Sequence, residues 1–203
     1  MVRMNKENYD ITSSIFQNDG DPLKTKTDVE LKELGIMIGK NVKIEPDVKI
    51  YRGCIIGNDC ILGTSCILKP NTKLGEHTIF GALSVTEGDV EIGSWTTIHS
   101  QCHITSGMII GNNVFIAPLF YSANTPKISL GKFGYPNTTN DPRKSPIIED
   151  GVRIGENVGV APGIRIGKNS LIDMNCLITK DIPPNSRVRA SKGVVGTVIG
   201  KID

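Results

Sequence analysis

Residues 56–68 read Ile-Gly-Asn-Asp-Cys-Ile-Leu-Gly-Thr-Ser-Cys-Ile-Leu, with a bulky aliphatic residue at every sixth position. The same frame runs through most of the 203-residue chain and is interrupted once. Its members are Ile38, Ile44, Ile50, Ile56, Leu62, Leu68, Leu74, Phe80, Thr86, Ile92, Ile98, Ile104, Ile110 and Ile116, and then Ile148, Ile154, Val160, Ile166, Ile172 and Ile178. Thr86 is the one polar residue among them.

A period of six fits neither an α-helix, which repeats every 3.6 residues, nor a strand with one buried face, which repeats every two. It fits a short strand plus a turn, stacked so that the apolar residue always points into one continuous core. The repeat therefore predicts an all-β chain that winds as a parallel β-helix.

The five cysteines share one register, four positions after the apolar residue of the frame. They are Cys54, Cys60, Cys66, Cys102 and Cys176. We interpret them as small buried residues that fill a narrow interior, and not as nucleophiles, metal ligands or disulfide partners.

The hexads resemble the signature of the hexapeptide-repeat acyltransferases over residues 38 to about 184. That resemblance implies a left-handed β-helix with three hexads per coil, and a homotrimer. Residues 37–184 are then the β-helix, with an inserted loop at 122–147. Residues 1–36 form an N-terminal arm and a short capping helix, and residues 185–203 form a tail over the last coil.

The helix prediction rests on a capping box at Thr27–Glu30, with Gly35 as the stop. Residues 1–22 are polar and unpatterned, so we expect a loose arm or a segment that orders only against a partner subunit.

Composition argues against several classes of partner. The chain has 23 Lys and Arg against 21 Asp and Glu without long runs of one sign, so it offers no stripe for nucleic acid. No apolar stretch is long enough to cross a membrane, and the N-terminus lacks a signal pattern. Five thiols without an obvious pairing fit a reducing compartment, so we expect a cytoplasmic protein.

The interruption spans 26 residues, Ser122 to Ile147, and contains four prolines. Insertions of that length in a compact array usually have a function. The resemblance implies a loop that walls an active site. In the sugar O-acetylating branch a catalytic His-Pro starts this loop, whereas Tyr121 to Pro126 here read Tyr-Ser-Ala-Asn-Thr-Pro, and the loop has no histidine.

The missing histidine favours an amino acceptor. A neutral alcohol needs strong general-base help to attack a thioester, whereas a neutral amine attacks unaided and loses its proton afterwards. A second resemblance agrees with this: Asn124, six residues after Pro118, and residues 30–35, which lead into the first hexads, are similar to enzymes that N-acetylate nucleotide-linked amino sugars. That resemblance implies that Ser100 and Asn124 orient the amine and relay its proton, with His99 or His103 assisting. Tyr121, Arg143 and Lys144 are the candidates for holding the acceptor.

Acetyl-CoA is the donor that the resemblance implies. Gly159, Ala161 and Gly163 suit a close approach of its amides, and a backbone N–H there would stabilise the oxyanion. Lys180, Arg187 and Lys192 are the candidates for its phosphates. Bulky Met174 departs from the family pattern and is expected to narrow or reshape the donor channel.

Three alternatives remain open. O-acetylation of a sugar or small alcohol would require a histidine as a true base. A non-catalytic trimeric scaffold would use the loop as an interaction surface. His77, His99 and His103 could in principle share a zinc ion between subunits, but they occupy three different registers of the repeat, so we expect no metal.

Overall fold

The computed structural model describes residues 33–127 and 143–190, and also the backbone of short strands at Ile15–Phe16, Pro22–Leu23 and Gly196–Lys201. Over residues 37–127 and 143–178 the chain winds as a parallel β-helix whose strands form three sheets, one on each side. We call these sheets the first, second and third face, in the order in which the chain visits them.

The faces share the same construction, with two-residue strands stacked along the helix axis. The first face contains Met37–Ile38, Ile55–Ile56, Lys73–Leu74, Glu91–Ile92, Ile109–Ile110, Ile147–Ile148 and Arg165–Ile166. The second face contains Lys43–Ile44, Ile61–Leu62, Ile79–Phe80, Thr97–Ile98, Phe115–Ile116, Arg153–Ile154, Leu171–Ile172, Ser186–Ala190 and Gly196–Lys201. The third face contains Lys49–Ile50, Ile67–Leu68, Val85–Thr86, His103–Ile104, Tyr121–Ser122, Gly159–Val160 and Leu177–Ile178.

Three hexads make one coil. Phe80 pairs with Leu62 of the coil before it and with Ile98 of the coil after it, and all three side chains are fully buried. The second residue of each two-residue strand in the coils thus occupies the inward position of the sequence frame. The parallel β-helix predicted from the period of six is confirmed.

The glycine beside the apolar residue has a steric reason. A Cβ built on Gly57 would lie 2.6 Å from the backbone nitrogen of Glu76 in the next coil, so only glycine fits there. Two residues later the chain turns through the left-handed region, as at Asp59 with φ 57°. Asn and Asp occupy many of these turn positions, but Leu83, Trp95 and Leu119 also adopt them.

The interior confirms that the five cysteines are small buried residues that fill the core. All five are buried and free of disulfides. Burial raises the pKa of the Cys54 and Cys102 thiols to about 11 and that of Cys66 to about 12. Polar residues in the described core have hydrogen-bond partners, and Thr86, the exception in the frame, lies 2.7 Å from the Thr72 hydroxyl.

The insertion is slightly shorter than the sequence frame indicated. Ser122 and Ile147 both lie in strands, so the excursion begins at 123 and ends at 146. Ser122 takes an inward position of the frame and is buried, but its polarity hid it from a rule based on apolar residues. The coil regains its register when Ile147 pairs with Ile109.

The ends of the β-helix only partly follow expectation. Ile15–Phe16 pairs antiparallel with Pro22–Leu23, a pairing that the polar sequence of the arm did not predict. Gly35 has φ 66°, as a helix stop requires, but Thr27–Glu30 lie outside the described residues. Ser186–Ala190 pairs parallel with Leu171–Ile172 and antiparallel with Gly196–Lys201, and so extends the second face. In the described part of the chain, no helix has the length and apolar character needed to span a membrane.

Candidate functional site

The loop leaves the β-helix at the corner between the third and first faces, and its two ends meet again at that corner. The Lys144 N–H donates to the Asn124 carbonyl at 2.8 Å. The Lys144 carbonyl in turn accepts from the Gly163 N–H at 2.7 Å, one coil further along. We call residues 123–127 and 143–146, with the turns 105–107 and 161–163 on either side, the loop corner.

Asn124 anchors this corner through its side chain. Its Nδ2 donates to the Ser106 carbonyl at 3.1 Å, and its Oδ1 accepts from the Thr125 hydroxyl at 3.2 Å. The Ser145 hydroxyl donates to the same Ser106 carbonyl at 2.7 Å. Asn124 is buried, so in this protomer its side chain joins the loop to the turn beneath it.

The outer surface of the third face runs directly into the loop corner. His103, Tyr121 and Gly159 are paired in successive coils, so their side-chain positions form one column. The ring of Tyr121 lies over Gly159, since a Cβ there would lie 2.5 Å from the ring carbons Cε2 and Cζ. The sequence suggested Gly159 as a place where a cofactor approaches the backbone, but Tyr121 fills that space.

His103 forms a pair with a carboxylate that sequence inspection missed. Its Nε2 lies 3.1 Å from Oε1 of Glu87, which is on the preceding coil. The other carboxylate oxygen accepts from the Thr105 hydroxyl at 3.1 Å and from the Ser106 N–H at 3.4 Å. Burial opposes ionisation of Glu87, but His103 and these hydrogen bonds outweigh it, so the pKa of this carboxyl is lowered.

Several predicted site residues do meet here. Gly163 has φ 74°, and a Cβ on it would lie 3.3 Å from Cβ of Lys144. Arg143, Lys144 and Lys180 are exposed; the first two end the loop, and Lys180 lies at the same corner one coil beyond Gly163. The corner therefore carries exposed cations beside the His103 and Tyr121 column, with Asp181 next to Lys180.

The backbone N–H groups suggested as oxyanion donors already have acceptors in this protomer. Gly159 donates to the Cys176 carbonyl, Ala161 to the Ile178 carbonyl and Gly163 to the Lys144 carbonyl. These bonds belong to the stacking of the coils and to the closure of the loop. In this protomer these three N–H groups are therefore already used in backbone hydrogen bonds.

Ser100 and His99 lie apart from the loop corner. Both belong to the turn between the second and third faces, whereas Asn124 follows a strand of the third face, so the two sets flank opposite edges of that face. The His99 ring meets the edge of Phe115, with ring centroids 6.4 Å apart. Within one protomer Ser100 and Asn124 are not brought together.

Arg187 is also remote from the corner. It pairs with Leu171 on the second face, and its guanidinium binds Asp173, which Arg189 also contacts at 2.9 Å. Exposed Met174 lines a shallow groove of about 360 Å³ on the same face. The groove is lined by Phe115, Arg153, Ile154, Gly155, Leu171, Ile172, Asp173 and Met174. Lys192 lies outside the residues whose side chains are described.

The three histidines occupy three separate places. His77 stacks on Trp95 at the corner between the first and second faces, with ring centroids 3.9 Å apart. His99 is at the next corner and His103 is on the third face. Among the described residues, no three His, Cys, Asp or Glu side chains converge as a metal site would require.

Two family models match the repeat. A model described as a bacterial transferase hexapeptide of six repeats matches residues 35–70. A second, described as the hexapeptide repeat of succinyl-transferase, matches residues 147–180. The two matches lie on either side of the inserted loop.

Named relatives match across larger parts of the chain. The bifunctional protein GlmU of Methanococcus vannielii is 30% identical over 128 residues, which are 59% of this chain and 29% of that protein. The galactoside O-acetyltransferase of Lactococcus lactis is 32% identical over 146 residues, covering 52% of this chain and 66% of the relative. The chain thus spans less than a third of the GlmU protein.

A solved structure of an acetyltransferase is also similar to this chain. A hexapeptide-repeat acetyltransferase of Vibrio cholerae, in complex with acetyl coenzyme A, superposes with a TM-score of 0.55 and 25% identity. The match covers 64% of this chain and 70% of that one.

Proposed function

From the premise that this chain is a hexapeptide-repeat protein similar to acetyltransferases in sequence and fold, we propose that it transfers an acetyl group from acetyl-CoA to the amine of a nucleotide-linked amino sugar. The reaction takes place at the loop corner. The observation that carries this proposal is the column of His103 and Tyr121 that runs into the positively charged root of the inserted loop.

The transfer needs few groups. The amine nitrogen attacks the thioester carbonyl, the new C–N bond forms, and the C–S bond breaks to release the CoA thiol. The proton lost by the nitrogen passes to the His103 imidazole and then to the departing sulfur. Tyr121, with its ring about half exposed, gives the sugar a flat surface to pack against.

The charges at the corner suit the two phosphate-bearing reactants. Arg143 and Lys144 end the loop and would meet the phosphates of the nucleotide-linked acceptor. Lys180, one coil further along, would meet phosphates of CoA. Ala161 and Gly163 lie between the loop cations and Lys180, and their side chains are small or absent.

The amine is favoured as acceptor because the loop contains no histidine. A neutral amine needs a base only after it has attacked, and an exposed imidazole can serve for that step. Asn124 acts by holding the loop in place.

The residues at the other edge of the third face fit the proposal if the protein is a homotrimer. The sequence resemblance implies that the loop reaches a neighbouring subunit and that Ser100 faces the amine. Both hold if one protomer packs against the next so that the turn with His99 and Ser100 lies at the loop corner of its neighbour.

O-acetylation is a second candidate, and one observation favours it. His103 is paired with Glu87 at 3.1 Å, and a carboxylate beside an imidazole strengthens a general base enough to help a hydroxyl attack. The similarity to a galactoside O-acetyltransferase points the same way.

A thiol-release assay with acetyl-CoA separates the candidates. The acceptors are nucleotide-linked 3-amino and 4-amino sugars with their hydroxylated parents, and mass spectrometry identifies the product. Turnover confined to the amines supports the proposal, and turnover of the parents supports O-acetylation. Failure to release thiol with any acceptor favours the scaffold and overturns both.

A matched pair of variants tests the site. His103→Asn is expected to lower kcat by about 100-fold or more, the usual contribution of a general base. His77→Asn is the control, because His77 also lies near a carboxylate, 3.8 Å from Asp59, but at another corner. Equal effects of the two changes would place the chemistry elsewhere.

A further inference from the structure

We infer that Glu87 is a positioning residue that holds the His103 ring with its hydrogen on Nε2, so that Nδ1 is the atom that accepts the proton. The catalytic meaning of this inference rests on the proposed function. The tautomer itself is a property of the folded protein and can be measured without substrate.

Glu87 is held by its own surroundings before it meets His103. One carboxylate oxygen accepts from the Thr105 hydroxyl and the Ser106 N–H, both in the turn of the next coil. Only the other oxygen faces the imidazole. Because the carboxylate is tied to the turn, the histidine ring adopts an orientation that the turn dictates.

The same arrangement recurs elsewhere in the β-helix, so it follows from the stacking of coils. Glu45, Glu87 and Glu149 each follow a strand directly, and each accepts a backbone N–H from the turn 19 residues later. The other carboxylate oxygen then faces the outward residue of the strand one coil later, which is 16 residues further along the chain. That residue is Arg165 for Glu149, at 2.6 Å, and His103 for Glu87.

The side chain that faces each carboxylate determines where the hydrogen of that contact lies. Arg165 can only donate to Glu149, whereas His103 can carry its hydrogen on either nitrogen. An ionised carboxylate can only accept, and the lowered pKa of Glu87 keeps it ionised near neutral pH. In the neutral ring the Nε2 that faces it must therefore donate, which leaves the lone pair on Nδ1.

The test is the tautomer of the His103 ring in the full-length protein, read from two-bond ¹H–¹⁵N correlation spectra at about pH 9, where a histidine ring is ordinarily neutral. His103→Asn assigns the signals. We expect a protonated Nε2 and a bare Nδ1 in the native protein, and a mixture of tautomers in Glu87→Gln. A protonated Nδ1 in the native protein, or an unchanged tautomer in Glu87→Gln, would overturn the inference.

Glu45→Gln is the matched control. It removes an equivalent carboxylate from an equivalent turn, where the Thr64 N–H and hydroxyl donate to it, but Ile61 is the outward residue in that case. The His103 signals should not move in this variant. If Glu45→Gln changes them as much as Glu87→Gln does, the effect is a general loosening of the turns.

Activity supplies a second readout. Glu87→Gln is expected to lower kcat by about 10- to 100-fold, while KM for acetyl-CoA changes by less than about twofold. A loss confined to KM would contradict a positioning role. If the native protein is inactive with every acceptor, the proposed function fails, and the spectra still decide whether Glu87 sets the tautomer.

Discussion

The ring of Tyr121 lies over Gly159, which faces it from the next coil of the same face. A Cβ on Gly159 would lie 2.5 Å from two ring carbons and 2.7 Å from the phenolic oxygen, so a side chain and the ring cannot both occupy that space. The glycine therefore determines where the aromatic surface of the candidate site lies. It also makes Tyr121 lean away from His103 toward the later coils.

Gly159→Ala should displace the Tyr121 ring and lower the free energy of unfolding by about 1–3 kcal/mol, the usual range for overpacking. Urea unfolding measures the change. In the Tyr121→Ala background the same substitution should cost much less, because the ring is no longer there to be displaced. Equal costs in the two backgrounds would show that the ring is not what the new methyl group meets.

Thr86→Val should destabilise the protein although it restores the apolar frame. The Thr86 hydroxyl accepts from the Lys69 N–H at 3.1 Å and contacts the Thr72 hydroxyl, so valine leaves a backbone donor without its acceptor. We expect a loss of about 1–3 kcal/mol in urea unfolding. Thr97→Val, on the outer side of the second face, is the control and should change stability by less than about 0.5 kcal/mol. A stabilised Thr86→Val variant would contradict this prediction.

Asp173 should make stability depend on pH in the acid range. Burial alone would raise its pKa, but hydrogen bonds and charge from Arg189 and Arg187 lower the pKa below its ordinary value. The resulting stabilisation is present above the unfolded-state pKa of about 4 and is lost as pH falls through the folded-state value. Asp173→Asn should thus lower stability at pH 7, and urea unfolding at a series of pH values should show the difference shrinking below about pH 4. A constant difference down to pH 3 would rule out this linkage.

The five thiols should be inert in the folded protein. Burial raises the pKa of all five, to about 12 for Cys66, so little thiolate forms near neutral pH. A disulfide reagent at pH 8 should find almost no reactive thiol in native protein and all five after unfolding in urea. The same inertness makes a colorimetric thiol-release assay practicable. Rapid labelling of any cysteine in the native state would be evidence against this packing.

Lys180 and Arg187 should differ in their effect on the donor. Lys180→Gln is expected to raise KM for acetyl-CoA by about tenfold, the effect of losing one charged hydrogen bond. Arg187→Gln should leave that KM unchanged and lower stability instead, because its partner is Asp173. Steady-state kinetics with acetyl-CoA and with its dephospho derivative measure the KM for the donor in the two variants. A raised KM for acetyl-CoA in Arg187→Gln would indicate that Arg187 binds a phosphate of the donor.

The sequence by itself determined the architecture and where it is interrupted. A period of six repeats the same inward direction strand after strand, so Leu62, Phe80 and Ile98 are identified as core residues without any knowledge of their partners. The loss of that period located the loop, and the place of the cysteines in it identified them as filling residues. Ser122 was not recognised as an inward residue, because a serine does not continue an apolar pattern.

Only the tertiary structure decided which side chains meet. Glu87 and His103 are 16 residues apart in sequence and lie on neighbouring coils. Their contact depends on how one coil stacks on the next, and on the hydrogen bonds that hold the Glu87 carboxylate against the adjacent turn. Ser100 and Asn124 were grouped by resemblance, yet they flank opposite edges of the third face, because the chain turns between faces after every strand. A periodic sequence specifies which way each side chain points. Contacts across coils, and the hydrogen bonds already made by Gly159, Ala161 and Gly163, depend on how the coils stack.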